Sequence, residues 1–199
     1  MNTKPSTYSN GCLRRDILHT LSSSCVQKSV KEIGAMCGLI ERINKGGVML
    51  TWQDIITFTH QGNPQPDTVV RKSDAQWREQ LGEAQYYVMR QHGTERPFSN
   101  QMCELFEPGL YRCAGCQNLL FDSGSKFDSR TGWPSFAQPM KSNAISYHLD
   151  ETLARPRIEV RCNQCESHLG HVFPDGPAPS GLRYCVNAVS IEKVNQEAS

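Results

Sequence analysis

The stretch G-L-Y-R-C-A-G-C, residues 109–116, runs from a short apolar segment into a C-x-x-C turn. The stretch R-I-E-V-R-C-N-Q-C, residues 157–165, repeats this arrangement further along the chain. Each turn can supply two thiolates, and two such turns brought together form a closed tetrahedral site. Because a closed site leaves no position for a substrate, we expect a structural zinc ion. Two redox-active C-x-x-C motifs, or reduced buried cysteines, are the alternatives. The expected ligands are Cys113, Cys116, Cys162 and Cys165.

Short strands are indicated on both sides of these turns, separated by clusters of Asp, Ser, Gly and Pro. Upstream, Ser73 is a good N-cap for a helix in which Trp77 and Leu81 share one face. A second short helix is expected before the first strand. The sequence therefore predicts a mainly β domain over residues 71–193, with helices at its start and a tail at 194–199.

The first seventy residues give the weakest structural signal, so we expect residues 1–70 to be a poorly ordered extension. Within them, 51–60 could form a short helix or strand, and Q-G-N-P-Q-P-D at 61–67 has the composition of a linker. The codons for K-G-G-V-M at 45–49 must be rich in purines, as a bacterial ribosome-binding site would be. We therefore hypothesise that Met49 is the natural start and that residues 1–48 are an untranslated leader, which mass spectrometry of the native N-terminus would test.

Composition indicates one soluble domain plus an extension. The 199 residues are 38% hydrophobic and carry a net charge of +1, which does not favour nucleic acid or an anionic membrane as a partner. We expect a monomer. No apolar run approaches the length of a membrane span, and the first thirty residues lack the apolar core of a secretory signal. Those residues are rich in Ser and Thr, so an organelle transit peptide is the alternative to the expected cytoplasmic location.

One cysteine stands alone in a strand-like stretch, R-Y-C-V-N at 183–187. In a strand Arg183, Cys185 and Asn187 share one face. A guanidinium beside a thiol favours the thiolate, which is the reactive form. Cys185 is therefore a candidate nucleophile, and an inert cysteine in a β core is the alternative.

Two further segments carry candidate site residues. S-H-L-G-H-V-F-P-D at 167–175 holds His168, His171 and Asp175 directly after the second cysteine pair, and imidazoles suit proton transfer near neutrality. T-G-W-P-S-F at 131–136 places Trp133 in a Gly/Pro turn, where it could form an aromatic wall for a small apolar group. A packed histidine and a tryptophan that only anchors the core are the alternatives.

Taken together, these motifs resemble the methionine-R-sulfoxide reductase B family. The resemblance rests on G-T-E-R-P-F at 93–98, C-A-G-C at 113–116, K-F-D-S-R-T-G-W-P-S-F at 126–136, C-N-Q-C at 162–165, H-L-G-H-V-F-P-D-G-P at 168–177 and R-Y-C-V-N at 183–187. It covers residues 71–193 and not residues 1–70.

The resemblance implies two antiparallel β-sheets, a structural four-cysteine zinc site and a thiol mechanism that repairs oxidised proteins. Cys185 would attack the sulfoxide sulfur and become a sulfenic acid. Trp133 would hold the ε-methyl group of methionine-R-sulfoxide, with Phe136 as a second substrate contact. His168 and His171 would bind water and protonate the sulfoxide oxygen. Arg183 would depress the pKa of the Cys185 thiol. Asp175 and Asn187 are the remaining implied active-site residues.

The sequence departs from the family pattern at one position that matters for recycling. Many members have a resolving cysteine immediately before G-W-P-S-F, where this chain has Thr131. Cys103 is the leading substitute because it lies outside the C-x-x-C pairs but inside the domain, and thioredoxin would then reduce a Cys103–Cys185 disulfide. Direct reduction of the sulfenic acid by thioredoxin or a small thiol is the alternative. Cys12, Cys25 and Cys37 are poor candidates because their region could be absent from the natural protein.

Two non-enzymatic functions compete with this interpretation. A zinc-stabilised β binding module would explain the four cysteines, but it gives no reason for Arg-x-Cys-x-Asn beside His-x-x-His. A zinc-ribbon nucleic-acid binder would need a basic surface, against which the near-neutral charge argues.

Overall fold

The computed structural model describes residues 49–194. The first part is helical, and the remainder consists of short strands joined by turns. The helices are α1 (Trp52–Gln61), α2 (Asp74–Gln80) and α3 (Glu83–Gln91), with single 3-10 turns at Gln101–Cys103, Ser123–Ser125 and Ala188–Ser190. The strands are β1 (Leu110–Cys113), β2 (Leu119–Asp122), β3 (Lys126–Phe127), β4 (Ser135–Phe136), β5 (Ile145–Asp150), β6 (Arg157–Cys162), β7 (His168–Phe173), β8 (Arg183–Val186) and β9 (Ile191–Val194).

The strands form two antiparallel sheets, which confirms the predicted fold class. The smaller sheet has the order β2-β1-β9, and the larger has the order β3-β4-β8-β7-β6-β5. Strand β8 shows the expected alternation, with Tyr184 and Val186 buried and Arg183 and Cys185 half-buried on the opposite face. The large sheet thus turns one face to the core and presents Cys185 on the other.

An aromatic cluster fills the core between the sheets. The ring of Phe136 stacks on Phe121 with centroids 4.3 Å apart, and Tyr111 meets it edge-on at 4.9 Å. The hydroxyls of Tyr147 and Tyr184 share a hydrogen bond of 2.9 Å, which satisfies two buried polar groups. Phe136 is 0% exposed. The expectation that it contacts substrate is therefore wrong, because strand alternation turns it into the core.

The N-terminal boundary of the domain also differs from the expectation. Ile55 and Phe58 on α1 are buried, and the Phe58 ring stacks on Tyr147 with centroids 5.6 Å apart. The Asn63 side chain bonds both the carbonyl and the amide of Tyr147. Residues 49–63 therefore belong to the packed domain, so the assignment of all of residues 1–70 to a poorly ordered extension is wrong there. These contacts join α1 and the residues after it to a strand far along the chain, and local spacing does not reveal such pairings.

Two terminal segments, residues 1–48 and 195–199, lie outside the residues that the structure describes. The leader hypothesis, Cys12, Cys25 and Cys37, and most of the expected tail fall on them, and these stay predictions.

Helices α2 and α3 follow the sequence expectation. The Gln76 amide donates to the Ser73 hydroxyl at 3.3 Å, and Trp77 and Leu81 are buried. Helix α3 packs against β7 and the 3-10 turn at Ala188–Ser190. Its C-cap, His92, adopts the left-handed conformation with φ 56°, and this turn brings the imidazole to the site described next.

Candidate active site

Cross-strand pairing sets the centre of the site. Cys185 of β8 lies opposite Ser135 of β4 on one side and His171 of β7 on the other, and His171 lies opposite Glu159 of β6. Directly opposed residues of antiparallel strands project from the same face. The sheet therefore places a thiol, an imidazole and a carboxylate in one row.

A β-bulge in β7 brings the second histidine to the same face. Arg161 pairs with His168 and Val160 pairs with Gly170, so Leu169 is an extra residue in the ladder. Residues three apart in a regular strand point to opposite faces, and an extra residue cancels that alternation. The rings of His168 and His171 accordingly meet edge-on with centroids 5.6 Å apart.

Each histidine is bound by a different carboxylate. His171 Nε2 is 2.7 Å from Asp150 Oδ2, which also accepts a 2.7 Å hydrogen bond from Arg157. His168 Nδ1 is 2.6 Å from Glu159 Oε1, and His92 Nδ1 approaches the same oxygen at 2.7 Å. The three groups of the second set could also hold a metal ion. The Arg161 guanidinium, 2.6 Å from the other Glu159 oxygen, opposes a further cation there.

These contacts keep both carboxylates ionised. Burial alone would raise the pKa of Asp150, but hydrogen bonds from Thr152, His171 and Arg157 outweigh it and hold that pKa well below its usual range. Burial would likewise raise the pKa of Glu159, and hydrogen bonds from His168 and Arg161 lower it well below its usual range. Burial lowers the pKa of His171, and the bond to Asp150 opposes that shift.

A cavity of about 130 Å³ opens beside this row. It brings together four of the residues expected from the sequence, namely Cys185, His171, Asn187 and Trp133. Its remaining lining residues are Thr94, Arg157, Gly170 and Phe173. His168 does not line it and is only 2% exposed. Its Nε2 atom has no hydrogen-bond partner among the described residues.

Arg183 and Asp175 flank the cavity as a bidentate pair. Arg183 donates to both Asp175 oxygens at 2.8 Å and stacks over Phe173 at 4.4 Å. Burial raises the pKa of the Cys185 thiol, while Arg183 and the Thr131 hydroxyl lower it and only partly offset that effect. Arg183 thus acts in the expected direction, but the net shift is upward. The thiol is therefore the resting form at neutral pH.

Glu95, which the sequence analysis did not single out, ties several site residues together. Its carboxylate accepts hydrogen bonds from the Ala188 and Val189 amides at 2.6 and 3.1 Å. Its own amide donates to Asn187 Oδ1 at 3.0 Å, and its carbonyl accepts a 3.3 Å bond from Trp133 Nε1. The side chains of Trp133 and Asn187 are therefore fixed from one segment. Its place in G-T-E-R-P-F was the only signal in the sequence.

The four paired cysteines form a separate cluster at the ends of β1 and β6. The Sγ atoms of Cys113 and Cys165 are 3.7 Å apart, and those of Cys116 and Cys162 are 3.5 Å apart. Thiolates about 2.3 Å from a tetrahedral zinc ion lie about 3.8 Å from one another. The four ligands predicted from the sequence thus come together at distances that fit a bound metal ion.

Cys103 lies in a second cleft that shares Trp133 with the first. It ends the 3-10 turn Gln101–Cys103, and its thiol donates to the Asn100 carbonyl at 3.0 Å. Phe98, Phe106 and Arg130 also line this cleft. The two thiol-bearing clefts therefore adjoin the same indole.

Comparison with known proteins identifies the family. The SelR domain model matches residues 81–195, which is more than half of the chain. The chain is 55% identical over 122 residues to peptide methionine sulfoxide reductase MsrB of Agrobacterium fabrum, covering 61% of this chain and 90% of that protein. It is 48% identical to the MsrB of Saccharophagus degradans, over 62% of this chain and 92% of that protein. It is 49% identical to the MsrB of Pseudomonas aeruginosa, over 61% of this chain and 92% of that protein.

A weaker likeness comes from a solved structure, the Mis18 'Yippee-like' domain. It has a TM-score of 0.36 and 14% identity, over 46% of this chain and 100% of that one. That likeness supports no argument about function. The SelR match and the similarity to nearly full-length relatives show that the chain belongs to the SelR-domain family, together with these MsrB proteins.

Proposed function

We propose that the protein is a peptide methionine sulfoxide reductase that acts on the R epimer, with Cys185 as its nucleophile. The observation that carries this proposal is the cross-strand pairing of Cys185 with His171, with both side chains lining one cavity beside Trp133. Reduction of a sulfoxide needs a sulfur nucleophile and a proton donor for the departing oxygen. The cavity supplies both within one row of the sheet.

The chemical step starts from the thiol. Cys185 gives up its proton to His171 and attacks the sulfoxide sulfur, while the imidazolium returns the proton to the sulfoxide oxygen. The attack forms a transient bond between the two sulfurs. That bond and the S–O bond of the substrate then break, and a new S–O bond forms on Cys185, which becomes a sulfenic acid. The substrate sulfur gains two electrons, the Cys185 sulfur loses two, and methionine leaves. No net proton is taken up or released.

Trp133 is proposed to contact the methyl group of the substrate. The bond from its indole to the Glu95 carbonyl fixes the ring plane against the cavity. Phe173, held under the Arg183 guanidinium, provides a second aromatic surface. A small apolar group placed between such walls leaves the sulfoxide oxygen facing the polar side, where His171 and Asn187 lie.

The activity is tested with separated epimers. We expect dithiothreitol-driven reduction of the R epimer of a protected methionine sulfoxide, none of the S epimer, and loss of activity in Cys185→Ser. Met140→Leu, at an exposed position outside both clefts, is the control and should retain full activity. If the protein holds a metal ion on its four paired cysteines and yet reduces neither epimer, the proposal is overturned in favour of a non-catalytic binding module.

Recycling is proposed to proceed through a disulfide between Cys103 and Cys185, which thioredoxin reduces. Support comes from Cys103 lining the cleft that adjoins Trp133. It also comes from Thr131, which lies beside the Cys185 thiol at the position where a resolving cysteine is expected but absent. The Cys103 segment would have to move, breaking its bond to the Asn100 carbonyl. The Cys103 thiol attacks the sulfenic sulfur, its proton passes to the departing hydroxyl, and the disulfide forms as water leaves.

One equivalent of sulfoxide separates the two recycling routes. The reduced protein, treated with it and then alkylated, should yield a Cys103–Cys185 disulfide on peptide mapping. Cys103→Ser should keep its activity with dithiothreitol and lose it with thioredoxin. A free Cys103 beside an oxidised Cys185 would reject the disulfide and leave direct reduction of the sulfenic acid.

The wider biological assignment extends the proposal beyond this chemistry. We propose oxidised proteins as the substrate, repair under oxidative stress as the role, a structural zinc ion on the four cysteines, and a cytoplasmic monomer. The zinc ion would hold the β1 and β6 turns together, and no step of the reaction involves it. Among the described residues no helix is long and apolar enough to cross a membrane.

A further inference from the structure

The two site histidines are held by carboxylates through opposite ring nitrogens. His171 contacts Asp150 through Nε2, and His168 contacts Glu159 through Nδ1. An ionised carboxylate is only an acceptor, so the nitrogen that faces it must carry the proton. Neutral His171 is therefore the Nε2–H tautomer, and neutral His168 is the Nδ1–H tautomer.

This arrangement decides which atom of His171 can exchange a proton in the cavity. Nε2 is occupied by Asp150, whereas Nδ1 makes no hydrogen bond to the described residues, and the ring lines the cavity with Cys185. A nitrogen with a free lone pair can accept the thiol proton and later donate it. With the opposite tautomer, Nδ1 would already carry a hydrogen and could not act as the base.

We propose that Asp150 is the positioning residue for the reaction: it fixes His171 as the Nε2–H tautomer, so that Nδ1 moves the proton between Cys185 and the sulfoxide oxygen. This inference rests on the reductase function proposed above and goes beyond it by naming the residue and the atom. Asp150 touches neither the thiol nor the cavity, and it acts through His171.

Other donors keep Asp150 an acceptor on all sides. Its Oδ2 accepts from Arg157 Nη2 at 2.7 Å, and its Oδ1 accepts from the Thr152 amide and hydroxyl at 3.0 and 2.6 Å. In each of these hydrogen bonds the Asp150 carboxylate is the acceptor. A protonated Asp150 would have to place its hydrogen against one of them, which disfavours that form. The Arg157–Asp150 pair therefore keeps the direction of the His171 bond fixed.

The charged and titratable groups that face His171 come from four strands. They are Asp150 of β5, Arg157 and Glu159 of β6, His168 of β7 and Cys185 of β8. Of these, Asp150 has the direct bond and stabilises the imidazolium form. Removal of the Asp150 carboxylate should therefore lower the proton affinity of His171. It should also allow neutral His171 to adopt either tautomer.

Nuclear magnetic resonance of the unmodified holoprotein gives the first test, because it needs no variant and no activity. Ring ¹⁵N shifts of neutral His171 should show a protonated Nε2 and an unprotonated Nδ1. The opposite pattern would overturn the proposal outright. If the tautomer is as expected but neither epimer of the sulfoxide is reduced, the reductase function fails and the structural part of the inference stands.

Two variants test the catalytic consequence in single-turnover release of methionine, which is independent of recycling. Asp150→Ala should slow that release about 10²- to 10⁴-fold at saturating substrate, the range for loss of a proton-transfer group, with little change in the substrate concentration for half-maximal rate. The acidic limb of its pH profile should move to lower pH, because the imidazolium is less stable and the neutral His171 that accepts the thiol proton persists to lower pH. Asp150→Asn adds an amide that can donate to Nε2 and hold the opposite tautomer, so it should also slow release, by up to about 10⁴-fold.

Asp67→Asn provides the matched control. Asp67 also pairs with a cation, Lys141 at 3.0 Å, and accepts from Asn143, but it is exposed and outside the cavity. It should leave rate and pH profile unchanged. If a folded Asp150→Ala or Asp150→Asn protein keeps the unmodified rate and pH profile, the positioning role is rejected.

Discussion

The backbone of Gly170 lies directly against the carbonyl oxygen of Cys185. A Cβ atom built on Gly170 would be 2.1 Å from that oxygen, and the residue has φ 157°. This contact lies beside the β7 bulge that turns His168 and His171 to one face. The spacing H-L-G-H therefore combines the two histidines with the glycine that lets their strand approach the nucleophile.

Gly170→Ala should consequently damage both stability and activity. Pushing β7 away from β8 is expected to lower the free energy of unfolding by about 1–3 kcal/mol and to reduce sulfoxide reduction further than the loss of folded protein explains. Urea unfolding and activity per folded molecule measure the two effects. Gly82→Ala, where the new Cβ meets nothing within 4 Å, is the control. Equal behaviour of the two variants would show that the close approach is unimportant.

Phe136 and Phe173 should respond in opposite ways to the same substitution. Phe136→Leu removes a ring stacked in the core and should lower the free energy of unfolding by about 1–2 kcal/mol, with an unchanged KM. Phe173→Leu alters the cavity wall and should raise KM with a smaller effect on unfolding. Denaturation and steady-state kinetics on both variants check this. A raised KM in Phe136→Leu alone would restore its assignment as a substrate contact.

Removal of the expected zinc ion should destabilise the fold without abolishing the chemistry of molecules that remain folded. The native protein should contain one metal ion per chain by elemental analysis. Chelation, or Cys165→Ser, is expected to lower Tm, because four close thiols lose the cation that holds them together. Cys103→Ser should keep both the metal and Tm. A metal-free native protein that is equally stable would contradict a structural site.

Glu159 should make stability depend on pH at the acidic end. Because its pKa in the folded protein lies below the value of an unfolded Glu, near 4.3, the unfolded chain binds more protons in this range. Its contribution is thus present above about pH 5 and is lost as the pH falls through the folded-state pKa.

The measurement compares the unmodified protein with Glu159→Gln by urea unfolding across this range. The unmodified protein should be more stable at neutral pH by roughly 2 kcal/mol, and the difference should shrink as the pH falls from about 5 to about 3. Metal release affects both proteins, so the difference between them is informative. A constant difference would mean that Glu159 is not an ionised partner of His168.

Local patterns in the sequence predicted the strands, the capped helix at Ser73 and the four metal ligands. These features depend on spacing of two to four residues, which a single sequence displays. Strand alternation, residue chemistry and the family resemblance also singled out Cys185, His171, Asn187 and Trp133, which line one cavity in the structure. Phe136 was misassigned because a two-residue strand has too little alternation to reveal which side chain faces inward.

The residues that escaped prediction act through contacts between distant segments. Asp150 and Glu159 reach the histidines only because β5, β6 and β7 are neighbours in register. In a strand the pattern R-I-E-V-R puts Arg157 and Glu159 on one face, but nothing in the local pattern shows that this face borders Cys185. The packing of α1 against Tyr147 likewise joins residues far apart in the chain.

The sulfur that receives the sulfoxide oxygen can be identified most directly by trapping the intermediate. Reduced Cys103→Ser protein is mixed with one equivalent of the R epimer in the presence of a 1,3-dione that alkylates sulfenic acids, and the modified peptide is located by mass spectrometry. One adduct on Cys185 for each methionine released is the expected result. Methionine release with the adduct on another cysteine, or with no adduct in a protein whose Cys185 stays reduced, would contradict the assignment of Cys185 as the nucleophile.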